Sequence, residues 1–396
     1  MGARKASSPV GPPRRVTVRT PSRLYEVLVG PELLDACGAR VREAVGPASR
    51  RATVVADAAL PRELVQGVER SLSRADFFVA RLEMEAGEPT KTLERLESIL
   101  SCMAAHKHER ADPVVGLGGG VVGDMAGFAA GVHRRGVPLI QCPTTLLAMV
   151  DASVGGKAGA NLVVSQGGVR GLLKNAVGVF HQPHLVLIDP QTLGSLPERT
   201  FRAGLGECVK HAMLAGDFKD PTLFEWMESN TSRLTRNDPA VVELIARNVA
   251  IKARVVEKDE REEHPSAGRA LLNLGHTFAH AMETLAGVTI PGTGAPPQHG
   301  EAVSLGLVAA SVTAESLDLI STDLRSRVER LVGRLGLPTR AAGLPSCEAL
   351  LARMAHDKKV RGGKLRVVLP CGLGQARIVE APGADVVQAG WDAIRE

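Results

Sequence analysis

Between Pro113 and Asp124 an apolar run passes into Gly116-Leu117-Gly118-Gly119-Gly120-Val121-Val122-Gly123-Asp124, followed by small residues from Met125 onward. No other stretch limits the fold so sharply. Glycines in this density suit a tight strand-to-helix turn in an α/β unit, and they let backbone N–H groups at a helix N-terminus approach a pyrophosphate. The spacing is not G-x-G-x-x-G, and a turn that binds nothing would use the same residues. Taken alone, the run leaves nucleotide binding open.

Around that turn, strand-like runs at 52–55, 113–117 and 138–141 alternate with helical stretches at 63–72 and 92–105, as expected of a parallel sheet. Alternation over 16–29 suits an edge strand or hairpin. Past Thr192 the strand signal fades, and amphipathic helical patterns dominate at 201–214, 241–257, 276–285 and 300–317. A last β-type run at 364–369 suits a hairpin on the helical part. The expected organisation is a disordered arm at 1–15, an α/β dinucleotide-binding domain with a parallel sheet at 16–191, and a mainly α-helical domain at 192–396.

Composition removes several classes of function. A chain of 396 residues with 44% apolar content can bury a large core. It contains no apolar run of about 20 residues and no signal-peptide core at its start, so a cytoplasmic protein with no membrane partner is expected. Six dispersed cysteines without a C-x-x-C pair suggest buried reduced thiols. The net charge of +5 comes with only 3% aromatic residues and scattered cations. That argues against nucleic acid and for an anionic small substrate.

Several polar groups stand where chemistry would need them. Asp57, just past the 52–55 strand, is placed to accept from a ribose, although a lone Asp there is more often a cap. The segment 143–157 concentrates Thr144, Thr145, Asp151 and Lys157; paired hydroxyls and a glycine-flanked lysine suit phosphate or ribose oxygens. Glu207 and Lys210 are three apart and share a helix face, usually the mark of a surface ion pair. They gain meaning beside His276, His280 and His299, because one carboxylate and two or three imidazoles can enclose a divalent metal while leaving positions open for substrate.

Together these blocks resemble the dehydroquinate synthase family of sugar phosphate cyclases from about Asp57 to Leu369, most specifically in GGGVVGDMAGFAA, RRGV and PTTLLAMVDASVGGK. The resemblance implies a dehydroquinate synthase-like fold whose all-α C-terminal domain binds metal and substrate. It implies NAD in a cleft on Asp57, Glu88, Lys91, Gly119, Gly120, Val121, Val122, Gly123, Asp124, Thr144, Thr145 and the segment containing Thr192, Leu193 and Ser195. Glu207, His276 and His299 match the family's metal ligands, for Zn or Co. Substrate-handling positions match Arg135, Asp151, Lys157, Lys174, Asn175, Lys210, Lys252, Glu262, Arg269, Asn273 and His280, with Lys358 or Lys359. In role, Lys157, Asn175 and His280 would face a phosphate, Lys252 and Arg269 a carboxylate, and Lys210 and Asn273 the ring hydroxyls. Asp151, Lys157 and Lys174 also border the cofactor in this reading.

The implied reaction turns 3-deoxy-D-arabino-heptulosonate 7-phosphate into a carbocycle and phosphate on the shikimate route to aromatic amino acids. It proceeds by transient NAD oxidation, phosphate elimination, re-reduction and intramolecular aldol closure. A homodimer with Arg135 reaching across is implied too. The segments 158–173 and 286–298 are longer than usual for the family, and Ala86 stands where Asp is common. The competing readings are a valiolone or deoxy-inosose type cyclase, a metal-dependent polyol dehydrogenase, and an inactive NAD-binding protein.

Overall fold

The computed structural model describes residues 12–166, 169–264, 268–356 and 365–396. The chain divides into two compact units. The first consists of Met1–Val18, Ser22–Thr144 and Gly156–Ser195, and the second of Arg19–Pro21, Thr145–Gly155 and Leu196–Glu396.

The first unit runs β1 (Arg14–Arg19), β2 (Leu24–Val29), α1 (Cys37–Val45), β3 (Arg51–Asp57), α2 (Arg62–Arg74), β4 (Phe78–Met84), α3 (Leu93–Ala105), β5 (Val114–Gly118), α4 (Gly120–Val132), β6 (Leu139–Pro143), β7 (Lys157–Gln166), β8 (Val169–Phe180) and β9 (Leu185–Ile188). Its seven-stranded sheet has the order β1-β2-β9-β6-β5-β3-β4, and the pairings from β2 through β9, β6, β5 and β3 to β4 are parallel. The inner strands β5, β6 and β9 are buried along their whole length, because helices cover both faces. Neighbours on β3 go to opposite faces. Val54 joins a core with Val41, Val65, Val68 and Leu72 of α1 and α2, and Val55 joins one with Ile99, Met103, Met125 and Ala129 of α3 and α4.

The alternation at 16–29 is accounted for by β1 and β2 at one edge of the sheet. The arm expected at 1–15 is corrected at its end, since β1 begins at Arg14 and Arg15 pairs with Glu26 at 2.6 Å. Charged residues at an edge strand suit solvent and read locally as a polar tail. Residues 1–11 lie outside the described residues. The long 158–173 segment forms an antiparallel hairpin, β7 with β8, from Lys157 opposite Phe180 to Gln166 opposite Val169. Its register shifts between Ala160 and Leu162, so Asn161 alone faces Lys174, Asn175 and Ala176.

The second unit contains α5 (Glu198–Ala212), α6 (Leu223–Asn230), α7 (Ala240–Lys258), α8 (His276–Glu283), α9 (His299–Glu315), α10 (Thr322–Arg334), α11 (Cys347–His356), the antiparallel hairpin of β10 (Arg366–Gly372) and β11 (Gln375–Glu380), and α12 (Ala384–Ala393). No helix of the described residues is long and apolar enough to cross a membrane. All six cysteines are free.

Helix α9 is buried almost throughout, and it meets its neighbours backbone to backbone. A Cβ on Gly300 would overlap the Ala203 carbonyl oxygen of α5, one on Gly206 would overlap the Gly300 oxygen, and one on Gly306 would overlap the oxygen of Gly275, the left-handed N-cap of α8. Only glycine permits so close an approach. Gly300→Ala is therefore expected to lower the melting temperature by several degrees, at an overpacking cost of about 1–3 kcal/mol. Gly333→Ala in α10, where an added Cβ meets nothing within 4 Å, should leave it unchanged or raise it, as thermal unfolding of the two variants would show.

Candidate active site

Three helices of the second unit bring Glu207, His276 and His299 together, with one ligand atom of each lying within 4.8 Å of the others. Glu207 on α5 is fully buried, and neither of its carboxylate oxygens makes a well-formed hydrogen bond. His276 Nε2 lies 3.5 Å and His299 Nε2 3.3 Å from the same Glu207 oxygen. Both imidazoles turn Nε2 inward because Nδ1 is engaged behind, on the Leu274 carbonyl at 3.1 Å for His276 and on the Glu283 carboxylate at 2.5 Å for His299. These partners can only accept, so Nδ1 carries a proton in both rings; burial opposes a charge on His299, but Glu207 and Glu283 on either side raise it to about 10, so an incoming cation has to displace its Nε2 proton. A buried carboxylate oxygen facing two imidazole Nε2 atoms is a donor set that fits a divalent cation.

The sequence holds this geometry locally. His299 begins α9, whose start is closed by a capping box between Gln298 and Glu301. The Glu301 carboxylate also receives both Nε and Nη2 of Arg199 on α5, at 2.8 and 2.7 Å. In the long segment before it, Ile290 N donates to Ala295 O at 2.9 Å, closing the extra residues into a turn.

Buried cations surround the carboxylate. Lys210 Nζ is 2.5 Å from Glu207 and 3.6 Å from Asp151, and Asp151 also receives Lys252. Burial would raise Glu207, but Lys210 and the two imidazoles hold it well below the usual carboxylate range. Burial would lower Lys210, but Asp151 and Glu207 keep it raised. Lys252 goes the other way, since burial together with Lys210 and Arg269 outweighs Asp151 and lowers it to about 8. Burial lowers His276 to about 4, leaving it a neutral imidazole near pH 7. Arg269, also buried, donates to the carbonyls of Glu260 and Gly155, each at 2.5 Å. Asn273 donates to Ala270 O at 3.2 Å, while the exposed His280 ring lies 5.5 Å from that of His276. Glu262 has a left-handed backbone, φ 57°.

In the first unit the expected nucleotide residues fall into three groups. Gly119 caps α4 without a side-chain hydrogen bond, and Gly120, Val121, Val122, Gly123 and Asp124 form its first turns; Val122 points into the core, so only its backbone is available to a ligand. Lys91 is buried with Nζ 2.5 Å from Asp124 and also on the Asn175 side-chain oxygen, and Glu88 accepts from Asn161 at 2.8 Å. Other residues bond locally: Asp57 accepts from Ala59 N at 3.0 Å, Thr192 and Ser195 bond within their own turn, Leu193 is core, and Thr144 N donates to Gly118 O. Lys157 opens β7, Lys174 lies on β8, and Arg135 is exposed with φ 66°. Thr145 belongs to the second unit, where its hydroxyl accepts from Ala148 N, and Asp151 lies among the second unit's cations. Lys358 and Lys359 lie outside the described residues.

Sequence reasoning passed over Asn161, Glu283 and His211. Asn161 donates to Glu88 and accepts from Asn175 N at 2.8 Å, and no motif marks it. Glu283 lies two helical turns from His276 on α8, and that spacing was a usable signal. His211 is fully buried between Asn248, at 3.1 Å, and Asp151.

The family model described as 3-dehydroquinate synthase N-terminal matches residues 81–203, and the one described as 3-dehydroquinate synthase C-terminal matches 204–360. The chain belongs to the 3-dehydroquinate synthase family. It is 42% identical over 378 residues to the 3-dehydroquinate synthase of Rhizobium leguminosarum bv. trifolii, covering 94% of this chain and 95% of that one. It is 40% identical to that of Agrobacterium fabrum, covering 95% of each. Among solved structures, 2-epi-5-epi-valiolone synthase from Streptomyces hygroscopicus subsp. jinggangensis, with NAD+ and Zn2+ bound, superposes with a TM-score of 0.77 at 27% identity over 100% of this chain and 98% of that one. A 2-deoxy-scyllo-inosose synthase shares the fold, with a TM-score of 0.79 at 24% identity over 96% of this chain and all of that one.

For a 3-dehydroquinate synthase family member with this donor set, zinc at about a hundred times its Kd should add about 2.7 kcal/mol to folded-state stability. Differential scanning fluorimetry should then show a rise of several degrees on zinc addition, reversed by a chelator and absent in His276→Ala.

Proposed function

We propose that the chain converts 3-deoxy-D-arabino-heptulosonate 7-phosphate into 3-dehydroquinate and inorganic phosphate, a carbon–oxygen lyase reaction with no net redox change. The observation that carries this reading is the Glu207, His276 and His299 cluster set among the buried cations Lys210 and Lys252 in one helical unit. Glu207, His276 and His299 hold a divalent ion, zinc or cobalt, which polarises a substrate hydroxyl when bound. NAD supplies a reversible hydride acceptor, and the uncapped start of α4 with Lys91 and Asp124 supports its binding in the first unit.

The remaining work is positioning and charge. Lys210 stands beside Glu207, where it and Asn273 contact ring hydroxyls. Lys252 and Arg269 bring positive charge for the substrate carboxylate, and Lys157, Asn175 and His280 serve the phosphate. Holding a flexible enolate in one conformation for ring closure is a proximity problem that such fixed charges address. Family resemblance supports two further readings: a cytoplasmic homodimer, and Arg135, exposed on its left-handed turn, reaching a neighbouring subunit.

Purified chain given the heptulosonate phosphate, catalytic NAD+ and zinc should release stoichiometric phosphate with no lasting NADH absorbance. His276→Ala should lower turnover more than about a hundredfold. Phosphate released only from a different sugar phosphate would point to a sister cyclase, and accumulating NADH to a polyol dehydrogenase.

The pH profile tests Lys252 separately. Its charge is present below about 8 and lost above it, so kcat/KM should decline as pH rises through that value. Lys252→Arg, which keeps its charge, should move that decline upward; an unmoved alkaline limb would assign it to another group.

A further inference from the structure

Both imidazoles of the cluster are oriented from behind, but by different means. His276 donates to the Leu274 backbone carbonyl, which the helix start fixes without help. His299 donates to a side chain, the Glu283 carboxylate, at 2.5 Å. Glu283 ends α8, the helix that His276 begins, so one eight-residue helix carries one ring and the group that aims the other. The Glu283 side chain is nine-tenths buried, whereas two-fifths of the His299 side chain is open to solvent. Packing alone therefore holds the His299 ring less firmly than it holds His276, and the hydrogen bond has more to do.

We propose that Glu283 is a positioning residue for the metal centre: by accepting from His299 Nδ1 it fixes the ring's orientation and keeps Nε2 turned toward Glu207. The inference rests on the reading of Glu207, His276 and His299 as metal ligands. An acceptor behind a ligating imidazole sets its tautomer and angle, and losing such a partner weakens metal binding by about 10–100-fold. The alternative is an ion pair that merely ties α8 to α9.

Two conservative variants separate these roles in the full chain. Glu283→Gln removes the charge but keeps an acceptor oxygen at the same reach, and Glu283→Asp keeps the charge but withdraws the acceptor by one methylene. Zinc affinity, measured by competition with a chromophoric chelator, should be largely retained in the Gln variant and should fall about 10–100-fold in the Asp variant. The visible spectrum of the cobalt-loaded protein should change in the Asp variant and not in the Gln variant. The reverse ranking, or equal affinities with only the melting temperature lowered, would overturn the assignment and leave a helix-tying ion pair. Wild-type protein that binds neither zinc nor cobalt would instead remove the metal reading itself, and this inference with it.

Discussion

Everything in the helical unit depends on how closely α9 lies against α5 and the turn before α8. Gly206, Gly275 and Gly300 make that contact, and each is the chain neighbour of a cluster residue: Glu207, His276 and His299. The coincidence has a physical reason. With the backbones this close, the donor atoms of Glu207, His276 and His299 come within 4.8 Å of one another. Wherever a methyl group would separate the helices, the donors would separate with them. The capping box at Gln298 and the Arg199 clamp on Glu301 then fix where along that contact α9 begins.

The same closeness leaves charges with little water. Glu207, Asp151, Lys210 and Lys252 are tolerated because each faces an opposite charge, and the pairing is shared instead of one to one, with Asp151 serving both lysines and Lys210 both carboxylates. Such a network contributes little net stability compared with apolar packing. What it provides is a set of charges already oriented before a ligand arrives, which is worth most in catalysis.

The large features were legible in the sequence because they rest on periodicity and composition. Alternation at 16–29, the glycine run and the 3.6-residue patterns at 241–257 and 300–317 correspond to β1 and β2, the start of α4, α7 and α9. Features resting on one residue were not legible. Asn161 is a lone amide on a strand, and it bridges Glu88 and Asn175 only because the hairpin register shifts opposite it. In the sequence Asp151 reads both as a substrate-handling residue and as a neighbour of the cofactor; the chain passes into the second unit at Thr145 and sets it among lysines, a placement that nothing in PTTLLAMVDASVGGK marks. Charge at Arg14 and Arg15 looked like a solvated tail, because an edge strand tolerates the same residues.

Charge within the helical unit also bears on which substrate suits it. Lys210, Lys252, Arg269 and the His299 imidazolium stand against Asp151, Glu207 and Glu283, an excess of one positive charge. A divalent ion on Glu207, His276 and His299 displaces the His299 proton and leaves two positive charges with no group of this set to offset them. In surroundings this dry, uncompensated charge is costly. An uncharged polyol would bring nothing to meet it, whereas a sugar acid phosphate brings a carboxylate and a phosphate group of about −1.5 to −2. The positive excess thus grows from one charge without the ion to two with it, which favours the heptulosonate phosphate over a polyol on electrostatic grounds.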